Sequence, residues 1–172
     1  MFEHTMQQPM SEVARPLEFE VFFRDEYPRL ARACYLLTGD GAEAEDLAQE
    51  AMVRAFERWE RVSDMESPDG YLYQTAFNLN HKRSRRLALR ARRVMSPSRS
   101  PDPASIVESK NEVMLALGAV PIAQREALVL VGWLGMDASE AGRVLGIDAV
   151  SVRGRVHRAR STLREKFGDD EA

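Results

Sequence analysis

Apolar residues along this chain recur almost everywhere at the three-and-four spacing of a helix. Phe19, Phe23, Tyr27, Leu30, Cys34 and Leu37 follow one another at intervals of 4, 4, 3, 4 and 3, which lines them along one stripe of an α-helix. No alternating series marks a strand and no internal repeat is evident. The expected fold is therefore all-α, with helices burying their stripes against one another. Cys34 lies within the first stripe and reads as a small core residue rather than a redox group.

Turn and cap residues divide the helices. Gly39 ends the first, and Asp40 with Glu43 forms a start signal for a second that runs to about Trp59. Its apolar side holds Ala44, Leu47, Ala51, Ala55 and Trp59, and a different stripe carries Glu43, Asp46, Glu50 and Glu57. Ser67 followed by Pro68 opens a third helix to about Arg93, about 40 Å long at the usual rise per residue. The stretch Met95–Ser105 contains three prolines and four serines with no apolar period, the composition of a linker. Helical periods resume at Ile106–Ala119, Ala123–Trp133, Ala138–Leu145 and Ala149–Phe167. The expected organisation is a disordered tail over 1–16, a helical domain over 17–94, a flexible linker over 95–107, a second helical domain over 108–167 and an acidic tail over 168–172.

Charge is segregated along this plan. The 172 residues carry a formal net charge of −3. Residues 1–69 hold 16 acids and 7 bases, whereas His81–Arg99 holds Lys82, Arg83, Arg85, Arg86, Arg90, Arg92, Arg93 and Arg99 with no acid. Asn78, Lys82, Arg86 and Arg93 share one helical face. A second basic run comprises Arg153, Arg155, Arg158, Arg160, Arg164 and Lys166. A polyanion senses such fields locally, within a Debye length of roughly 10 Å, so two basic helices point to nucleic acid.

Asp137–Phe167 has the parts of a helix-turn-helix. Ala141 and Gly142 permit close helix approach, Gly146 makes the turn, Ile147 plugs the core and Asp148 caps the next helix. There Val152, Val156, Ala159 and Leu163 face inward. Ser151, Arg155 and Arg158 form an outward stripe, with Arg153, Gly154, His157, Arg160 and Arg164 beside it. Such a helix can offer its start to base edges and its arginines to phosphates.

Three classes of function are weakened by what the chain lacks. A lone cysteine makes no internal disulfide, and His4, His81 and His157 have no zinc spacing. No glycine-rich phosphate loop, nucleophile triad or metal cluster is present, so neither a cofactor, a metal nor catalysis is expected. The polar N-terminus does not resemble a secretory signal, and the apolar runs are shorter than the roughly 20 residues a bilayer needs. A cytoplasmic protein without membrane insertion is the expectation. A polymerase-independent helix-turn-helix regulator remains an alternative, although it has no need of the acidic stripe or the long third helix.

The runs Thr38–Val62, Tyr71–Arg86 and Val120–Arg164 together resemble bacterial sigma factors of the extracytoplasmic-function group, in wording closest to the actinobacterial SigE-like branch. The resemblance extends from about Phe19 to Phe167. It implies an RNA polymerase subunit that selects promoters and melts them without catalysis of its own. Glu43, Asp46, Gln49 and Glu50 would then dock on the basic clamp helices of the polymerase β′ subunit, with the β subunit as a further contact. Ser63, Asp64 and Met65 would border a pocket for an extruded −10 base, beside Tyr71 and Asn78, while Lys82, Arg83, Arg85 and Arg86 would follow the melted strand. Trp59, Tyr71, Tyr73 and Phe77 are stacking candidates, most of them core by position, with Tyr71 or Tyr73 the exception. Ser151, Arg153, Gly154, Arg155, His157 and Arg158 would face the −35 element. Promoter DNA and an anti-sigma protein complete the implied partners. The chain departs from the family at Gly142, where alanine is common, and at Gly154, where a small polar residue is usual.

Overall fold

The computed structural model describes residues 11–93 and 110–168. Eight α-helices and one π-helical turn make up these residues: α1 (Ser11–Thr38), α2 (Gly41–Glu57), α3 (Trp59–Val62), α4 (Pro68–Arg93), α5 (Lys110–Ala119), α6 (Ile122–Leu128), the π turn Val129–Trp133, α7 (Ala138–Leu145) and α8 (Ala149–Phe167). Among the described residues there is no strand. The expected linker lies outside them, as do the first residues of the Ile106–Ala119 segment and the acidic tail beyond Gly168.

Local chemistry sets most boundaries. Gly39 takes a left-handed φ of 74° after α1, and the Glu43 amide donates to Asp40 Oδ1 at 2.8 Å to start α2. The Gly70 amide donates to Ser67 Oγ at 3.1 Å, capping α4. Asp137 and Glu140 form a reciprocal capping box on α7, and Gly146 closes that helix with φ 67°. The Ser151 amide donates to Asp148 Oδ1 at 2.7 Å at the head of α8. Each cap satisfies amides that have no partner within the first helical turn.

Three expectations are corrected. Residues 11–16, expected in a disordered tail, belong to α1, where they continue a helix anchored by its packed portion. The second helix stops at Glu57, because Arg58 adopts φ −121° and ψ 20° and α3 begins at Trp59. This break turns Trp59 and Val62 inward, where both are buried. The helix expected over Ala123–Trp133 widens into the π turn, with the Leu134 amide donating to the Val129 carbonyl five residues back at 3.0 Å.

The core is continuous across the two charged halves of the chain. Leu30, Cys34 and Leu37 of α1 meet Leu47, Ala48 and Ala51 of α2 and Leu72, Tyr73, Ala76 and Phe77 of α4. The same cluster takes in Leu130, Ala141, Val144, Val152 and Val156 from the C-terminal half. Helix α7 thus packs on α4, and α6 and the π turn on α1, while α8 lies against α5, α6 and α7. Phe19 and Phe22 enclose Trp59, with ring centroids 5.2 and 5.0 Å away. Tyr73 is buried and donates from Oη to Glu26 Oε2 at 3.0 Å; burial first, and the Glu26 carboxylate second, push its hydroxyl pKa up, so it stays protonated.

Candidate nucleic-acid and polymerase interface

The acidic residues of α2 rise from a helix whose opposite side is the buried row Ala44, Leu47, Ala48, Ala51 and Ala55. That row fixes the rotation of the helix and sets Asp46 and Gln49 in solvent, with Glu43 and Glu50 half-buried at the margin. The Asp46 side chain is 69% exposed and lies 3.7 Å from Arg83 Nη2. Glu50 Oε1 pairs with Arg54 Nη2 at 2.7 Å. Exposed ion pairs of this kind contribute little to folding, so their carboxylates are available to a stronger cationic partner.

The candidate residues of α4 divide between surfaces. Tyr71, Asn78 and Lys82 line one open groove of ≈ 560 Å³ against Glu50 and Arg54 of α2 and Arg58 just after it, and Arg58 Nη1 donates to Tyr71 Oη at 3.4 Å. Arg85 lies instead along a second cleft with Glu43, His81 and Arg125, and Arg83 faces Asp46. Arg86 is exposed. In the loop before α4, Asp64 is exposed, Ser63 and Met65 are half-buried, and Met65 borders a third cleft with Tyr71 and α7. Of the stacking candidates, Trp59, Tyr73 and Phe77 are buried. Tyr71 alone of these is accessible.

On α8, Val152, Val156 and Ala159 are buried, which turns Arg153, His157 and Arg158 outward. Ser151 is committed to the cap, its Oγ donating to Asp148 Oδ2 at 3.1 Å. A Cβ at Gly154 would stand 3.3 Å from Arg158 Nη1, the free end of a flexible side chain that can move aside. Gly142 permits a tighter approach, because a Cβ would fall 2.6 Å from the Ile147 carbonyl oxygen. Arg155 is half-buried and acts electrostatically on Glu126.

Regions matching known proteins coincide with these two charged halves. The family model for Sigma-70 region 2 matches residues 22–90, and that for Sigma-70, region 4 matches residues 110–163. The RNA polymerase sigma-E factor of Streptomyces coelicolor is 31% identical over 153 residues, spanning 88% of this chain and 86% of that protein. The chain belongs to the extracytoplasmic-function sigma factors of the sigma-70 family. The ECF RNA polymerase sigma factor SigE of Mycolicibacterium smegmatis is 30% identical, with 83% of this chain and 58% of that protein covered. Among solved structures, the sigma factor RpoE of Bartonella quintana, in complex with the anti-sigma factor NepR, shares the fold with a TM-score of 0.76 at 21% identity, over 90% of this chain and 99% of that one. CnrH, in complex with the cytosolic domain of CnrY, has a TM-score of 0.62 at 25% identity, with 89% of each chain covered. As a sigma factor, the protein directs RNA polymerase to promoters through regions 2 and 4, as a non-catalytic subunit.

Sequence reasoning passed over one cluster in this sigma factor. Glu126 of α6 is 1% exposed, and its Oε1 stands 2.6 Å from His81 Nε2 on α4. Burial pushes the Glu126 carboxyl upward, while His81, Arg155 and Arg125 pull it back. Arg125 Nη1 donates to the Leu37 carbonyl at 2.6 Å, and Nη2 to those of Gly118 and Val120 at 3.2 and 3.0 Å. A glutamate flanked by the apolar run Ala127–Val131 was the available signal, since a buried carboxylate demands cationic partners. Among the described residues, no group of His, Cys, Asp and Glu could hold a metal ion, and no helix is long and apolar enough to cross a membrane.

Proposed function

We propose a division of labour for this sigma factor in which one half grips the polymerase and both halves read DNA. Residues 17–94 act as region 2 and residues 108–167 as region 4, with 95–107 as the tether. Glu43, Asp46, Gln49 and Glu50 dock on basic coiled-coil helices of the polymerase β′ subunit. Ser63, Asp64 and Met65 border the pocket for an extruded −10 base, which Tyr71 and Asn78 flank, and Lys82, Arg83, Arg85 and Arg86 hold the exposed strand. Arg153, Gly154, Arg155, His157 and Arg158, with Ser151 at the helix head, face the −35 major groove. Neither half needs tight affinity alone, because polymerase holds both and raises the effective concentration of each site. The place of action is the cytoplasm, where polymerase and promoters are. An anti-sigma protein is a fitting restraint, given that the similar sigma factor RpoE is solved in complex with the anti-sigma factor NepR.

The observation that carries this reading is the solvent exposure of Asp46 and Gln49 on a helix whose other face is fully buried. Asp46→Arg with Glu50→Arg should abolish binding to core RNA polymerase in a pull-down and leave the helical circular dichroism intact. Undiminished association would remove the docking assignment.

A further inference from the structure

Where α4 and α6 meet the end of α1, a cleft of ≈ 510 Å³ lies outside the roles assigned above, apart from those of Glu43 and Arg85. Its size and place suit a small molecule, because ligand sites of a few hundred Å³ gather where domains meet and pair apolar walls with a few polar groups. Leu37, Leu87 and Ile122 supply the apolar walls. Leu87 and Ile122 are 58% and 39% exposed, so the cleft leaves apolar surface in water that an occupant of matching character would cover.

The polar part of the cleft is short of partners. Asn80 lines it and is only 4% exposed, yet among the described residues nothing hydrogen-bonds to its side chain. A buried amide left unpaired is rare in folded proteins, and the cleft is where a partner has room to sit. Thr38, by contrast, is engaged within the fold, its Oγ1 donating to the Cys34 carbonyl at 3.0 Å. The surrounding charges select the sign of an occupant. Arg85 and Arg125 line the cleft against one carboxylate, Glu43, while His81 is held by Glu126 at 2.6 Å. Arg125 commits its Nη atoms to the carbonyls of Leu37, Gly118 and Val120, so it adds field without a free fork. Arg85 has no ion pair among the described residues. The net field in the cleft favours an anion.

We propose that this cleft binds a small amphipathic carboxylate of the fatty-acid class, whose head takes the Asn80 amide and the Arg85 guanidinium and whose chain lies on Leu87 and Ile122. A neutral alcohol satisfies Asn80 and leaves Arg85 unused, and an inorganic anion leaves the apolar walls wet; a molecule with both parts uses the whole site. Occupancy draws Arg85 from the melted strand, a consequence that rests on the role proposed for Arg85 there; the site itself does not depend on that role.

The test is calorimetry and amide NMR on the full chain with decanoate, kept below its micelle range. Decanoate should bind saturably at one site, decanol should bind about tenfold more weakly, and the amide resonances of Asn80, Ser84, Leu87 and Ile122 should move as decanoate is added. Asn80→Leu should keep the fold, because it removes an unpaired buried amide, and should weaken decanoate binding by about tenfold. Ser84→Trp, at an exposed helical position beside the cleft, should abolish binding by filling the space, and it serves equally if the Asn80 variant is unstable. Absence of saturable decanoate binding overturns the site, as does wild-type affinity in either folded variant or resonance movement confined to other surfaces. Decanol binding as tightly as decanoate overturns the anionic head. Each readout is made without DNA or polymerase, so failure here leaves the docking and strand-holding assignments standing, and their failure leaves the cleft standing.

Discussion

Two long helices carry most of this protein's arginines, and they hold them in opposite ways. In α8 a buried row of Val152, Val156 and Ala159 underlies the charged face, and Asp148 fixes the start. In α4 the buried row Leu72, Tyr73, Ala76, Phe77 and Leu79 ends at Asn80, and beyond it even Leu87 and Leu89 are 58% and 55% exposed. The cations of α4 therefore begin where its packing stops. Lys82, Arg86 and Arg90 repel one another at i,i+4 spacing, and a helical end without a packed face is marginal in water. On the proposed reading a polyanion would relieve that repulsion and steady this half of α4, whereas α8 is held by its own buried row. A preorganised helix suits a duplex groove of fixed shape; a compliant one suits a strand that must be captured as it is released.

The contrast can be broken at the bases each helix meets. Arg158→Ala should cost about 1–3 kcal/mol in binding a −35 duplex and relax the preference at one position in a duplex-library selection. Lys82→Ala with Arg86→Ala should instead weaken single-strand binding evenly across sequences and lower the salt slope by roughly one per cation removed. An even loss across sequences from Arg158→Ala would leave both helices as phosphate clamps.

Smaller effects sharpen the picture of α8 as a preset element. Gly142→Ala should destabilise the fold by about 1–3 kcal/mol in urea unfolding, because its methyl meets the backbone oxygen of Ile147, which has little room to yield. Gly154→Ala should go the other way, by up to about 1 kcal/mol, since alanine favours the helix and the group it meets is the free end of Arg158. Equal stabilities for the two variants would mean that the turn adapts and is not preset.

The smallest effect is on pH. The Glu140 and Ser139 amides hold the Asp137 carboxyl below the usual carboxylate range, and the Ser151 amide and hydroxyl do so for Asp148. With the folded values depressed, the caps contribute fully above the ordinary range and lose that contribution as pH falls through the depressed values. The amide resonances of Glu140 and Ser151 should therefore titrate below the range of an unfolded-chain aspartate; titration within it would show that the caps are not formed in solution.

How much the sequence reveals follows from the range of each interaction. The bounds of α7 and α8 are legible because Asp137, Gly146 and Asp148 act within three residues of themselves. Asp40 and Ser67 work the same way for α2 and α4. The acidic stripe is legible in part: the period of α2 gives its face, but not the Arg54 and Arg83 partners that Glu50 and Asp46 acquire. Contacts across the fold leave no local trace. Tyr73 finds Glu26 across 47 residues, and His81 finds Glu126 from the other charged half of the chain. The sequence marks Glu126 only by the apolar run beside it and presents Tyr73, Glu26 and His81 as ordinary, because what makes them important is a neighbour supplied by folding. The break at Arg58 is likewise a tertiary effect, imposed by the need to seat Trp59 between Phe19 and Phe22.

Cys34 is the chain's one sulfhydryl, 1% exposed and kept in its neutral form. Peroxide and electrophiles attack the thiolate at an accessible sulfur, and this residue offers neither condition. Thiol-directed oxidants thus have no direct handle on the cysteine of this folded protein, whose sulfur serves as packing between helices.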